Sequence, residues 1–260
     1  MREAAGLSTS VVTKRLGWAA GRINHLESGR HGTDPSALRD LMRLYDVADP
    51  ERVEAVLALG RQSRQRGWWH NYNDVLDGDY LGFEAEASNI SVYQPSVIPG
   101  LLQTPAYAAR SARASGAVTE KDIERVVAVR QKRQEALNQG TKLAAILDEN
   151  ALLRLVNTAD VAKDQLSKLV EAADEADSIT VRVLPISAGL HASLGGGFVL
   201  LDYTDSADPS LVYLEGRTSG TFLEKPEEVD AYRNVFASLT ESALTESQSS
   251  KLLKQLQKET

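Results

Sequence analysis

Four boundary signals, two stops and two starts, divide the first 66 residues into helices too short to stand alone. Gly17 follows Leu16, Gly29 follows "INHLES", and Asp34-Pro35 and Asp49-Pro50 each open a new segment. A glycine just past a helix is a left-handed terminator. Asp before Pro is an N-cap followed by a residue preset for the first helical turn. Between these boundaries the apolar residues recur at helical spacing. Ser8 precedes "TSVVTKRLG", where Val12 and Leu16 are four apart, and Ile23 and Leu26 are three apart. Leu38, Leu41, Met42 and Tyr45 form a third stripe, and Val53, Val56, Leu57 and Leu59 a fourth. Such short helices gain stability only by burying these stripes against one another. An all-helical domain is therefore expected over residues 1–66, ending in the polar basic stretch "GRQSRQRG".

Within it, helix 8–16, a turn at Gly17-Trp18, helix 19–28 and helix 35–47 have the order and spacing of a helix-turn-helix. The first and third helices brace the second, so its solvent face is free to enter a DNA major groove. Ile23 and Leu26 take one face of the second helix and leave Arg22, Asn24, His25 and Arg30 outward. Ala20 and Gly21 allow close approach, and an alanine can touch a thymine methyl, but neither makes a bidentate base contact. Direct readout thus falls to Arg22, Asn24 and His25. Taken singly, Arg22, His25 and Arg30 read better as solvated surface than as base or phosphate contacts. Their common helix is what makes them a set. A domain this small reads few base pairs, so a homodimer on two half-sites of a double-stranded operator is expected. Helix 50–66 or the C-terminal body would supply the dimer surface.

Composition changes at residue 68, where aromatics, Pro and Gly appear together. "NISVYQPSVIPG" has strand content broken by prolines. "PAYAARSARASG" and "TEKDIERVVAVRQKRQEALNQG" return to helix. "KLAAILDENAL" reads as a short buried strand ending at a polar turn, and "DVAKDQLSKLVEAADEA" as an amphipathic helix. "ITVRVLPI", "GFVLLDY", "LVYLEG" and, more weakly, "GTFLEK" are strand candidates. The tail reads as two helices, the second opened by a Thr245/Gln248 capping box. Strands and helices do not alternate strictly, which argues against a doubly wound parallel sheet. The fold expected is mainly α plus α+β: the helical domain 1–66, then an α+β domain over 67–260 with a small mixed or antiparallel sheet.

Charge follows the same division. Residues 1–67 carry 11 Lys/Arg against 8 Asp/Glu, and the remainder 18 against 28, so a basic head precedes an acidic body in a chain of net charge −7. A phosphate backbone would be repelled by the body. No run of about 18 apolar residues exists, so no membrane-spanning segment is expected, and "MREAAGLSTS" lacks the apolar core of a signal peptide. Cysteine is absent, which removes disulfides and thiolate chemistry and fits a cytoplasmic location.

Catalytic and cofactor chemistry finds little footing. His25, His31, His70 and His191 are scattered, so no metal site is expected. In "NDVLDGDY", Val75 stands where a calcium loop needs an oxygen ligand two residues before Asp77, which leaves a polar turn. "SLGGGFVLL" opens a strand, whereas a phosphate-cradling loop opens a helix. Asp148 and Glu149, adjacent at a strand end, would point to opposite faces, which is wrong for an acid/base pair. Ser193, His191 and Asp202 can be drawn together, but no nucleophile elbow accompanies them. The chain is expected to be no enzyme and to need no cofactor.

"REAAGLSTSVVTKRLGWAAGRINHLESGRHG" resembles the XRE (repressor-type) helix-turn-helix, in which Leu-Gly precedes the turn and Ile-x-x-Leu-Glu-Ser-Gly ends the recognition helix. Leu16-Gly17 and Ile23 through Gly29 carry that pattern. "YLGFEAEASNISVYQPSVIPGLLQTPAYAAR", "VLPISAGLHASLGGGFVLLDY" and "LVYLEGRTSGTFLEKPEEVDAYR" are similar to the WhiJ-like, antitoxin-like regulators of actinomycetes. The resemblance implies a DNA-binding regulator, a repressor, controlled by a small cognate protein on the C-terminal domain. By the family's docking pattern, His25 faces bases while Thr9, Ser28 and Arg30 face phosphates. The family's first helix has several residues before "REAAG", so a truncated first helix is expected here, leaving the core near Leu7 and Val12 short of cover. Ala19, Ala20 and Gly21 replace the Ser and longer polar residues common in the family. Two other readings stay open: a protein-interaction module with weak or no DNA binding, and a regulator answering to a small ligand. For a protein partner, the short strands within 179–225 are the leading contact surface, because an open sheet edge templates a partner strand.

Overall fold

The computed structural model describes residues 1–19, 22–27, 34–62, 68–72, 75–76, 78–116, 119–175, 178–204, 208–217 and 219–260. Its contacts divide the chain into two units, Met1–Trp68 and Trp69–Thr260.

The first unit holds helices α1 (Thr9–Leu16), α2 (Arg22–Glu27), α3 (Pro35–Leu44) and α4 (Pro50–Gln62). The Ser8 hydroxyl accepts from the Val11 amide at the start of α1, and Asp34 accepts from Ser36 at the start of α3. Gly17 ends α1 at φ 65°, and the Trp18 amide donates to the Thr13 carbonyl. Helix α3 stops short of the expected residue 47: Tyr45 caps it and Asp46 turns left-handed at φ 56°. Val12, Ile23, Leu41 and Met42 form the core, joined by half-buried Leu7, Leu16, Trp18 and Leu26. The expected lack of cover near Val12 does not occur. Residues 1–7 fold into turns through Ala5→Met1, Gly6→Glu3 and Leu7→Arg2 backbone bonds, and Val12 is 0% exposed.

The second unit is a six-stranded sheet between helices, as the α+β reading expected. Its strands are β1 (Asn89–Gln94), β2 (Lys142–Asp148), β3 (Ile179–Leu184), β4 (Phe198–Asp202), β5 (Leu211–Glu215) and β6 (Gly220–Leu223), in the order β3-β2-β1-β4-β5-β6. The sheet is mixed. β1, β2 and β3 run parallel, whereas β4, β5 and β6 are each antiparallel to their neighbour. Parallel neighbours need helical crossovers. These are α6 (Pro105–Ser115) with α7 (Glu120–Gln134), then α8 (Glu149–Val156) with α9 (Ala159–Glu175). Before β1 stands α5 (Gly78–Glu86), and the tail forms α10 (Pro226–Ser242) and α11 (Glu246–Glu259).

Alternation along each strand sorts the two faces. Ile90, Val92, Leu143, Ala145, Leu147, Val181 and Val183 face a large core shared with Leu152, Leu166, Leu169 and Leu253. Tyr93, Ile146, Phe198, Leu200 and Val212 face the opposite way, onto Val229 and Leu239 of α10. The Thr245/Gln248 capping box is present at α11. Two local expectations are corrected. The polar turn expected after β2 is the N-terminus of α8: Asp148 caps it by accepting from the Asn150 amide, so Asp148 and Glu149 do not share a strand. Of the polar turn expected at 73–80, Val75 and Leu76 do form a turn, their amides donating to the Tyr72 carbonyl, but α5 already opens at Gly78; Asp74 and Asp77 lie outside the described residues.

Candidate functional site

Ile23 decides how α2 sits. It is 1% exposed, and Leu26, three residues on, is half-buried against the same core. One face of α2 is thereby committed to α1 and α3. Arg22, Asn24 and His25 are residues of this helix, but their side chains lie outside what is described, as do Ala20, Gly21, Ser28 and Arg30 entirely. Thr9 is the first residue of α1, half-buried beside the Ser8 cap, and its carbonyl accepts from the Thr13 hydroxyl at 3.1 Å.

Sequence reasoning missed one contact of this unit. The Arg2 guanidinium donates through Nε and Nη2 to both carboxylate oxygens of Glu27, at 2.7 and 3.0 Å, and through Nη1 to the Leu7 carbonyl at 2.8 Å. Arg2 thus joins the N-terminal turns to the last residue of α2. Nothing in apolar spacing announces a bond between charges 25 positions apart.

The second unit contains a charged network under its sheet. Glu84 of α5 is 3% exposed and accepts from Nε and Nη2 of Arg133 of α7, at 2.6 and 2.7 Å. The Tyr80 hydroxyl donates to Glu84 at 2.5 Å, and the Tyr80 ring stacks on Tyr213 with centroids 4.3 Å apart. Burial raises the Tyr80 phenol well above its ordinary range, so it stays a donor. One turn earlier on α7, Arg130 donates to the side-chain oxygen of buried Gln103. Burial, then repulsion by Arg133, pushes the Arg130 guanidinium down to about 10. These groups line a cavity of about 150 Å3.

The residues considered for catalysis are engaged elsewhere. The Ser193 hydroxyl donates to the Gly196 carbonyl at 2.7 Å, and Asp202 accepts from Ser210 at 2.6 Å and Arg233 at 2.5 Å. His191 accepts from the Ser193 amide through Nδ1. Among the described residues no group of three or more His, Asp or Glu could hold a metal ion, and no helix is long and apolar enough to cross a membrane. Between β3 and β4, Ile186, Leu190 and Leu194 are 52%, 89% and 65% exposed, and β3 and β6 are the sheet's edges.

Comparison with known proteins gives each unit a likeness. Residues 1–55 match the model of a helix-turn-helix domain. The HTH-type transcriptional regulator BetI of Vibrio vulnificus (strain YJ016) is 26% identical over 88 residues, 34% of this chain and 41% of that protein. BetI of Vibrio campbellii (strain ATCC BAA-1116) is 29% identical over 79 residues, 30% of this chain and 36% of that protein. The matches thus span less than half the length of these relatives. A solved structure of TrmBL2, described as an archaeal chromatin protein with a novel mode of DNA binding, is 14% identical. It covers 80% of this chain and 67% of its own, with a TM-score of 0.30, too low to equate the folds. Residues 78–255 match the model of a domain of unknown function, DUF5753, and over that span, most of its length, the chain belongs to the DUF5753 family.

Proposed function

We propose that this protein is a sequence-specific DNA-binding transcriptional regulator of the XRE type, in which α2 is the recognition helix. The observation that carries this reading is the seating of α2. Buried Ile23 fixes one face against α1 and α3, behind a left-handed turn at Gly17, within a stretch that matches the helix-turn-helix model. A helix braced on one face presents the other to the major groove. Arg22, Asn24 and His25 are assigned to base edges, with Ala20 and Gly21 permitting close approach. Thr9, Ser28 and Arg30 are assigned to phosphates. The domain division is 1–66 for DNA and 67–260 for control. The protein works as a homodimer, in the cytoplasm, without catalysis or cofactor.

The finer reading is a repressor of WhiJ-like, antitoxin-like type, held or released by a small cognate protein on the C-terminal domain. Exposed Ile186, Leu190 and Leu194 support it, since all three fall within residues 179–225, the region expected to make that contact. So does the edge strand β6. By linkage, a partner that prefers the DNA-free regulator is weakened by DNA to the same degree. The test is an electrophoretic shift with the DNA upstream of its own gene, with and without the protein recovered from native cells on full-length bait. A specific shift that the recovered protein alters supports the reading. No specific shift at any salt concentration overturns it.

A further inference from the structure

We propose that the cavity between the β1–β4–β5 row and helices α5 and α7 is a binding site for a small organic carboxylate with an apolar body. Its floor is apolar. Val92, Val199 and Tyr213 are register partners across three strands and face the same core. Its wall carries two arginines one turn apart, and they differ in how their charge is met. Arg133 is matched by both oxygens of Glu84. Arg130, half-buried, lines the same cavity with a neutral partner, Gln103, and among the described residues makes no ion pair. A cation partly withdrawn from water without a carboxylate beside it carries a desolvation cost, and an anion placed beside it relieves that cost. The depressed Arg130 pKa, caused first by burial and then by Arg133, points the same way.

The remaining surroundings narrow the ligand class. Glu215 also lines the cavity and favours charge on Arg130 from beyond ion-pair distance, but it is exposed, so solvent screens it. A ligand cation would meet the Arg130 charge. A wholly apolar molecule would leave that charge still without an anion. Inorganic phosphate would lose hydration against Val92 and Val199 with nothing in return. The volume of about 150 Å3 suits a single ring or a short branched chain. The place fits as well. Gln94 ends β1 at the cavity, and β1 is the strand with a parallel neighbour on one side and an antiparallel one on the other. In open α/β sheets ligands commonly bind in the crevice outside the carboxyl ends of the strands.

The test uses the full-length chain with benzoate and isovalerate as probes and benzylamine as the cationic control. Either carboxylate should raise the melting temperature with increasing concentration and give a saturable calorimetric signal, and benzylamine should do neither. Arg130→Met keeps the volume and removes the charge. It should weaken carboxylate binding by about tenfold or more without lowering the melting temperature of the free protein. The inference is overturned if neither carboxylate shifts melting at about 10 mM, if benzylamine acts equally, or if Arg130→Met binds like the parent. Should that variant fail to fold, hydrogen exchange decides on the parent chain. Carboxylate must slow exchange in 98–103 and α7, and unchanged exchange there overturns the site. None of these readouts involves DNA, so this inference and the regulator reading fail independently.

Discussion

Arg2 and Glu27 are joined by two hydrogen bonds, from Nε and Nη2 to the two carboxylate oxygens, at 2.7 and 3.0 Å. The same guanidinium donates to the Leu7 carbonyl. One side chain therefore fastens the N-terminal turns both to themselves and to the end of α2. Arg2→Ala should lower the melting temperature of the first unit, with Arg2→Lys retaining part of it because an ammonium cannot repeat the forked geometry. Circular dichroism melts of the full chain check the order parent, Lys, Ala. Equal melting of all three contradicts it.

Glu84 and Arg133 are a buried pair whose side chains are 3% and 10% exposed. Removing one member of such a pair leaves an uncompensated charge, at a cost of about 3–5 kcal/mol, while replacing both with apolar residues is far milder. Glu84→Leu should therefore be strongly destabilising, and Glu84→Leu with Arg133→Met should recover most of the loss. Urea unfolding of the two variants and the parent measures it. A double variant no better than the single one would show that the pair's ion character is not what matters.

Two left-handed positions in the first unit predict opposite signs. Gly17 ends α1 at φ 65°, where a side chain is strained, and Asp46 ends α3 at φ 56° with a side chain in place. Gly17→Ala should destabilise, and Asp46→Gly should stabilise, each by about 1 kcal/mol. Chemical denaturation reads both, and equal signs would contradict the assignment of strain.

Much of this punctuation was legible beforehand. Ser8, Gly17, Asp34-Pro35 and the Thr245/Gln248 box are local signals acting on their own backbone, and the structure uses each where it stands. Strand positions were legible for the same reason. The sheet's order was not, because β1 pairs with β2 through residues such as Ser91 and Ala144, far apart in the chain, and periodicity carries no information on partners. Asp148 was misread because a polar triplet after a strand suits a turn and an N-cap equally. The stripe of buried Ala151, Leu152 and Leu155 that decides for a helix lies beyond it. Helix α5 was hidden by its glycines. At Gly82 a Cβ would stand 3.3 Å from the Trp69 indole nitrogen, a tight approach. The Arg130 cavity had no signal at all, since its parts come from α5, α7 and three strands.

Acid should expose the tie between α9 and α11. Lys254 approaches Asp174 at 2.6 Å and the Ser250 hydroxyl donates to it at 2.7 Å. These bonds, Lys254's first, hold the Asp174 carboxyl below its ordinary value of 3.8. A carboxyl depressed on folding contributes stability that is present above its unfolded pKa and lost as pH falls through the folded one. Asp174→Asn should thus be less stable than the parent at neutral pH, and the two should converge below about pH 4. Melting temperatures across an acid series test this, and a gap that persists in acid contradicts it.

The reading of DNA by α2 is tested most directly by shift assays over a salt series, on a selected cognate site and on random DNA, for the parent, His25→Ala and Arg30→Ala. His25→Ala should cost about 1–3 kcal/mol on the cognate site and little on random DNA. Arg30→Ala should weaken both alike and reduce the salt slope by about one. If His25→Ala weakens both DNAs equally, His25 contacts phosphate and not bases; if it leaves cognate binding unchanged, the account of α2 as the recognition helix is contradicted.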